Sequence, residues 1–559
     1  MRLVECVPNF SEGRNKKVID AIADSIKAVA GVSLLDVDPG FSTNRTVITF
    51  VGDPDCAVEA AFQAICKASQ LIDMRKHRGE HPRMGATDVC PFVPVSGITM
   101  EECAELAERL GKRVGEIGIP VYLYGEAART AERKSLADIR SGEYEGLCEK
   151  MKNASFKPDF GPGTFNAEAG ATVIGARQFL LAYNVNLNTR SKKLANEIAL
   201  SIREAGRAKR NAKGEIEKDA EGNTVKVPGS LKEVRAVGWY VDEYKRAQVS
   251  INLTNFEVTS LHQAFDECEK QAQALGLRVT GSEIVGLVPL APMLLAGEHY
   301  LRKQGRSTGV SEAELLECAV QSLGLADLAP FDVRDKIIEY RVTGEEKALK
   351  NLSVKDFVDE LASESPAPGG GSVAALLGSL SAALSAMVAN LSFEKKGMEK
   401  ERPEMQSTAW EAQALKKHLL ALVDYDMQAF NAIIDARRLP KGTEAEAESR
   451  EQAIMRANFR ATEVPLETLA TVPKLLSLAQ KMVASGNPNS LSDAGVAALC
   501  ALACAEGAYY NVLINLTSLA ESASEVEFKK RVRKQADDHI AQSRKIAAEV
   551  NEAVLARIS

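Results

Sequence analysis

Two of the chain's six histidines fall in one short stretch, Lys76-His77-Arg78-Gly79-Glu80-His81-Pro82-Arg83-Met84-Gly85-Ala86-Thr87-Asp88. Imidazole is the side chain whose proton moves most readily near neutral pH. Pro82 turns the backbone of His81 away from helical angles, and Gly79 and Gly85 permit tight turns, so His81 is expected at a strand end or in a loop. There it could take or give a proton, or, in a solvated basic loop, merely hydrogen-bond its neighbours. A second candidate is Leu34-Leu35-Asp36-Val37-Asp38-Pro39-Gly40. Strand alternation sends Asp36 and Asp38 to one face, where they could handle protons or orient a basic substrate group; Asp38 could equally cap the turn at Pro39-Gly40. The run 159–172 is too rich in glycine for helix, and its freed amides can approach a planar ligand closely.

Toward the C-terminus, Ser365-Pro366-Ala367-Pro368-Gly369-Gly370-Gly371-Ser372 precedes a long helix expected from about Val373. Amides at such a start attract anions and acceptors; a flexible linker is the alternative. The helix expected over 411–437 carries an apolar stripe through Leu419, Val423, Phe430 and Ile433 or Ile434, and Asp426 falls on it. Asp424 is expected to point elsewhere. A carboxylate on a buried face must be paired, protonated or used. Burial raises its pKa and suits it to give a proton to a leaving group, while a structural salt bridge stays open.

The elements that must position these groups divide the chain. Up to about residue 340, β-branched runs such as 32–37, 45–51 and 248–253 alternate with helical periodicity, as at 57–72 and 100–114. A second round begins near 179, so two sheet-containing α/β subdomains are expected, 1–179 and 180–342. The polar run 207–227 is expected as an exposed excursion. After a connector at 343–350, an all-α domain is expected over 351–559. The apolar helix at 373–391 is long enough to raise a membrane span, but its serines, alanines and Asn390 favour a buried helix packed through small residues, and no membrane span is expected.

Composition narrows the function classes. The 559 residues carry a net charge of −7, which argues against a general nucleic-acid partner. Ten cysteines show neither Cys-x-x-Cys pairs nor Cys/His clusters, so reduced thiols and no metal site are expected; Cys500 and Cys504 share a helix face as packing residues. No Walker loop or dinucleotide fingerprint occurs. The N-terminus lacks the long apolar core of a signal peptide, and the cytoplasm is the expected location.

Several motifs in order carry a resemblance: 3–13, 34–38, Ser42-Thr43-Asn44-Arg45-Thr46-Val47, 79–85, Tyr122-Leu123-Tyr124-Gly125-Glu126-Ala127-Ala128-Arg129, Gly286-Leu287-Val288-Pro289-Leu290, 367–372 and Tyr510-Asn511-Val512-Leu513-Ile514-Asn515. The chain resembles the bifunctional formimidoyltransferase-cyclodeaminase family of folate metabolism over nearly its whole length. The resemblance implies two reactions, transfer of a formimino group from N-formimino-L-glutamate to N5 of tetrahydrofolate, then ring closure to 5,10-methenyltetrahydrofolate with loss of ammonia. It places the catalytic histidine at His81 and the cyclodeaminase carboxylate at Asp426. The folate loop falls on Gly161, Pro162, Gly163, Thr164, Phe165, Asn166, Ala167, Glu168, Ala169 and Gly170; Gly163, Asn166 and Ala169 depart from the family pattern. Asp38 is taken as a further catalytic group. Arg45, Arg83 and Arg129 are candidates for glutamate's carboxylates, and Gly369, Gly370, Gly371 and Ser372 for the pterin or a carboxylate. Tetrahydrofolate, with or without a polyglutamate tail, would serve as acceptor and carrier without a metal, and the small-residue helices suit a homo-oligomer. A transferase-only enzyme, whose helical domain binds folate and assembles subunits, is the alternative.

Overall fold

The computed structural model describes residues 2–41, 43–79, 82–211, 214–219, 221–342, 348–364, 367–520 and 522–558. They gather into two compact units, Met1–Met293 with Leu323–Thr343, and Leu294–Ser322 with Gly344–Ser559. The chain is mixed α/β in the first and all-helical in the second, as its periodicity predicts.

The first unit opens with β1 (Leu3–Cys6), β2 (Asn9–Phe10), α1 (Lys16–Lys27), β3 (Val32–Gly40), β4 (Arg45–Gly52), α2 (Pro54–Leu71), β5 (Thr87–Ser96), α3 (Met100–Glu116), β6 (Val121–Gly125), α4 (Leu136–Arg140), α5 (Glu143–Lys150) and β7 (Thr172–Ala176). β1 and β2 run end to end between β4 and β5, antiparallel to both. The break falls at Pro8, which has no amide hydrogen to give the ladder, although its carbonyl still accepts from Ile48 N–H. β3 forms the edge on β4, while β7 and then β6 add in parallel beyond β5. Alternation puts Val4, Cys6, Phe10, Ile48, Phe50 and Phe92 on one face, in a core shared with α1, α2 and α3. The opposite face carries Glu5, Asn9 and Asp38. Each of the three helices starts on an acceptor side chain, Asn15, Asp53 and the Thr99–Glu102 capping box.

A second, wholly antiparallel sheet follows, with β8 (Leu181–Leu187), α6 (Lys192–Ile202), β9 (Arg207–Ala208), β10 (Lys226–Val227), β11 (Val234–Val241), β12 (Arg246–Leu253), α7 (Leu261–Ala274) and β13 (Val279–Val285). Its order is β11-β12-β8-β13, and β9 and β10 pair separately as the polar excursion expected at 207–227. Helices α8 (Leu290–Lys303), α9 (Glu312–Ser322), α10 (Val333–Lys336) and α11 (Ile338–Val342) come next.

Residues 294–322 lie within the second sheet-containing subdomain by sequence, yet they group with the helical unit. Side chains hold them there. Ser307 Oγ donates to Asn390 Oδ1 at 2.6 Å, Asn390 Nδ2 to Gly309 O at 2.8 Å, and Trp410 Nε1 to Thr308 Oγ1 at 3.0 Å.

The rest of the helical unit comprises α12 (Val354–Leu361), α13 (Gly370–Glu394), α14 (Arg402–Arg438), α15 (Glu444–Ser485), α16 (Leu491–Thr517) and α17 (Ala523–Ile558). Helix α13 packs on α14, α15 and α16. Small residues make that closeness possible: a Cβ on Gly378 would stand 2.9 Å from Cys504 Sγ, and one on Gly507 3.2 Å from Ala374 Cβ. Two stretches, Gly370–Glu394 and Pro488–Thr517, are long and apolar enough to cross a membrane; both contribute to the core of this unit, with Ala374, Ala382, Ala501 and Ala508 buried in one cluster. Helix α15 contains Pro465 and Pro473. Pro465 offers no N–H to the carbonyl of Ala461 four residues back, and Asn515 Nδ2 of α16 donates to that carbonyl at 2.7 Å instead.

Candidate active sites

His81 and Glu80 lie outside the described residues, so the first site is defined by the residues on either side. On the entering side, Asn44 sits at a positive φ of 48°, a conformation that asparagine tolerates better than most residues. Its Oδ1 accepts from Gly13 N–H at 3.0 Å and its Nδ2 donates to Arg78 O at 2.9 Å. Gly79 presses so closely here that a Cβ would stand 2.3 Å from Thr43 O. On the leaving side, the buried Arg83 guanidinium is held by Glu145 at 2.7 Å and Glu143 at 3.1 Å, while its carbonyl accepts from Tyr144 N–H at 2.8 Å. A cavity of about 440 Å³ opens between these arms, lined by Arg78, Gly79, Arg83, Gly142, Glu143 and Glu145.

Behind the loop, Asp88 is completely buried. It bonds both Arg45 and Arg140, and accepts from Met84 N–H at 3.0 Å. Arg45 also donates to Asn9 Oδ1 at 3.2 Å. The register sets Asp38 beside Val47, and Val47 beside Asn9; Asp38 is exposed there, on the same face as Asp36, as strand alternation predicts. Glu5, farther along that face, is buried. Desolvation pushes its carboxyl up to about 7, tempered by the charge of Arg177.

The glycine-rich loop joins the His81 segment directly. Gly85 bridges to Gly170, Ala86 N–H donates to Ala169 O at 2.8 Å, and Ala171 N–H to Met84 O at 3.1 Å. Asn166 caps the turn: its Oδ1 accepts from Glu168 and Ala169 N–H, and its Nδ2 donates to Gly118 O at 3.1 Å. Gly161 and Gly170 take positive φ. Thus His81's flanks, the loop 161–170, Arg45 and Arg83 form one region.

Arg129 does not join it. Its guanidinium pairs with Glu108 at 2.7 Å and lies over the Phe160 ring. Arg45 and Arg83 also face carboxylates, so each of the three arginines named as candidates for glutamate's carboxylates has an acidic partner within the protein. His77, Asn44, Asp88, Glu143 and Glu145 were not singled out from sequence. For Asn44 the signal was its residue type just ahead of a strand; for the acidic partners no local signal existed.

In the helical unit, Gly369 is the N-cap of α13, and Gly370, Gly371 and Ser372 form its first turn, three residues earlier than sequence suggests. Asp426 of α14 faces that turn. Ser372 Oγ lies 2.9 Å from Asp426 Oδ2 and 3.1 Å from Val423 O, and the Ser372 backbone also favours the charged Asp426 carboxylate. A Cβ on Gly371 would stand 2.2 Å from Asp426 Oδ1, so glycine is what admits the carboxylate. The acceptor expected at these amides therefore includes one supplied by the protein itself. Burial raises the Asp426 pKa, and the Ser372 hydroxyl and amide oppose that rise. Asn511 of α16 completes the rim, its Nδ2 3.4 Å from where a Gly370 Cβ would be; its part in this site was missed from sequence.

Two expectations for α14 change. Phe430, expected on the buried stripe, is 38% exposed, and Asp424, expected to point elsewhere, is 5% exposed. Lys350 Nζ approaches Asp424 Oδ2 at 3.8 Å, and that partner comes from outside the helix, where periodicity gives no view of it. Among the described residues no cluster of three or more His, Cys, Asp or Glu has metal-binding geometry.

Three family profiles match the chain: the formiminotransferase domain, N-terminal subdomain, over residues 3–177, the formiminotransferase domain over 182–343, and formiminotransferase-cyclodeaminase over 353–537. Among similar proteins, the formimidoyltransferase-cyclodeaminase of Mus musculus is 47% identical over 93% of both chains. The glutamate formimidoyltransferase of Streptococcus pyogenes serotype M1 is 42% identical over 54% of this chain and 94% of its own. A solved structure, formiminotetrahydrofolate cyclodeaminase from Thermotoga maritima, is 29% identical with a TM-score of 0.34, covering 38% of this chain and 100% of that one.

Proposed function

The chain belongs to the formimidoyltransferase-cyclodeaminase family, and from that premise we propose which residues carry each of its two reactions. It is a bifunctional folate enzyme of histidine catabolism, a transferase that passes the formimino group of N-formimino-L-glutamate to tetrahydrofolate and a lyase that closes the product to 5,10-methenyltetrahydrofolate with release of ammonia.

In the first reaction N5 of tetrahydrofolate attacks the amidine carbon, and the attacking nitrogen must lose a proton. His81 is the base, since a group with a pKa near neutrality both accepts and returns a proton efficiently. Arg45, Asp88, Arg83, Glu143 and Glu145 hold the described residues that follow it, from Arg83 to Asp88. The loop 161–170, joined to 84–86 through Ala169 O and the Gly85–Gly170 bridge, holds the flat folate, and Asp38 on its exposed strand edge orients the amidinium of the donor.

In the second reaction N10 attacks the formimino carbon and ammonia departs as its nitrogen gains a proton. Asp426 supplies it. The observation that carries this role is the seating of the Asp426 carboxylate in the first turn of α13, buried enough to hold a proton. Gly369, Gly370 and Asn511 border the space where the pterin would lie. Tetrahydrofolate, with or without added glutamates, is acceptor and carrier, and neither step requires redox change or a metal.

Exposed Leu380, Met387 and Leu391 on α13, with Leu499, Tyr510 and Ile514 on α16, support assembly into a homo-oligomer; a monomeric mass in light scattering would refute it. Ten free thiols suit a reducing cytoplasm.

The deciding experiment follows glutamate release and methenyltetrahydrofolate formation together. Wild-type protein gives both. His81→Ala gives neither from formiminoglutamate yet still cyclises supplied 5-formiminotetrahydrofolate. Asp426→Asn releases glutamate but loses cyclisation by on the order of 10²–10⁴-fold. Glutamate alone from wild type would confine activity to the first unit.

A further inference from the structure

His77 lies four residues before His81 in sequence, and its ring bonds Asn44, which in turn holds Arg78, and Arg83 beyond His81. Its ring is buried, with Nε2 2.9 Å from Asn44 O on one side and Nδ1 3.2 Å from Arg83 Nε on the other. A carbonyl only accepts and a guanidinium only donates, so both bonds exist together only in neutral imidazole with its hydrogen on Nε2. Each partner is anchored in turn, Asn44 to Gly13 and Arg78, Arg83 to Glu143 and Glu145. Removing the ring would leave a buried carbonyl and a buried guanidinium each short of a partner. Burial holds the His77 pKa below its usual value, and the Arg83 charge acts the same way; Glu12 and Arg14 also face the ring, with opposite effects.

We infer that His77 is a positioning residue of formimino transfer, whose neutral Nε2–H form ties Asn44 to Arg83 and so holds the described residues on either side of His81. The inference rests on His81 being the base. His77 itself moves no proton and contacts no substrate. Protonating it would turn an Nδ1–H against the Arg83 Nε–H and bring two cations together, breaking the tie.

The test measures kcat and KM for transfer in the full-length protein with His77→Phe, His77→Gln, His81→Ala and the double changes. Phenylalanine keeps a flat buried ring without nitrogen; glutamine returns an N–H that can reach Asn44 O. His77→Phe is expected to lower kcat by on the order of 10²-fold, the scale of a small misplacement of a catalytic group, with little change in either KM, and His77→Gln to recover part of the loss. In the His81→Ala background the residual rate should not change further when His77 is also replaced. An unaltered kcat in His77→Phe, or an equal loss in the presence and absence of His81, overturns the inference. Cyclisation of supplied 5-formiminotetrahydrofolate by the same variants reports an intact second unit, and thermal melting reports the first; should the phenylalanine variant fail to fold, His77→Gln alone and with His81→Ala makes the same comparison. A His81→Ala variant that transfers normally would instead remove His81 from the reaction, and the tie would lose its object.

Discussion

The charge state of Asp426 is set by two opposing influences on one carboxyl, desolvation against the Ser372 hydroxyl and amide. As a proton donor it works in the acid form, so cyclisation is expected to be fastest below its raised pKa and to fall as pH climbs through it. Ser372→Ala takes away one donor that favours the carboxylate. The fall should then move to higher pH by about one unit, because a hydrogen bond to a charged group is worth ~1.5 kcal/mol and a unit of pKa about 1.4 kcal/mol. A pH profile of ammonia release from supplied 5-formiminotetrahydrofolate decides this; a shift to lower pH would contradict the donor role. The inward side of Asp426, facing the start of α13, was legible in the sequence from its helical spacing with Leu419 and Val423. Asp424 was not, since its burial depends on Lys350, and His77 was passed over for His81 because two histidines in one loop look alike until their partners are seen.

At the scale of elements, both sites rely on backbone brought closer than a Cβ allows. Gly79→Ala would drive a methyl to 2.3 Å from Thr43 O, and Gly371→Ala to 2.2 Å from Asp426 Oδ1. Each should cost its own reaction at least about 10²-fold through displacement of a catalytic group while sparing the other, measured by the paired assay. Loss of both activities from either change would point to unfolding rather than displacement. Strand alternation and helical period located the sheets and the long helices, and the turn residues located the 207–227 excursion. What they could not give was strand order or the true start of α13. β1 and β2 share one line because both pair with β4 and β5, strands far apart in sequence. Gly370, Gly371 and Ser372, expected just ahead of the helix, form its first turn, and Asp426 of another helix supplies an acceptor there.

For the molecule as a whole, the succession of α/β by all-helical character was legible, whereas the start of the helices right after β13, at 290, and the membership of 294–322 in the helical unit were not. Those helices have the same amphipathic pattern as any surface helix, and contacts distant in sequence, such as those to Asn390, Trp410 and Lys417, reveal the attachment. The seam between α15 and α16 has a consequence of another kind. Pro465 makes a gap in one helix's ladder, and Asn515 is the plug from its neighbour, so the two helices are mutually indexed like teeth of a rack: sliding either by one residue unseats the plug and exposes the gap. Asn515→Leu should therefore lower stability by about 1–3 kcal/mol, the scale of a buried acceptor left bare. Adding Pro465→Ala, which restores the missing N–H, should return part of that loss in denaturant titration, whereas additive penalties would show that gap and plug are unrelated. Read in this way, a proline that weakens a single helix serves as an address mark, telling α16 the one height at which it can dock.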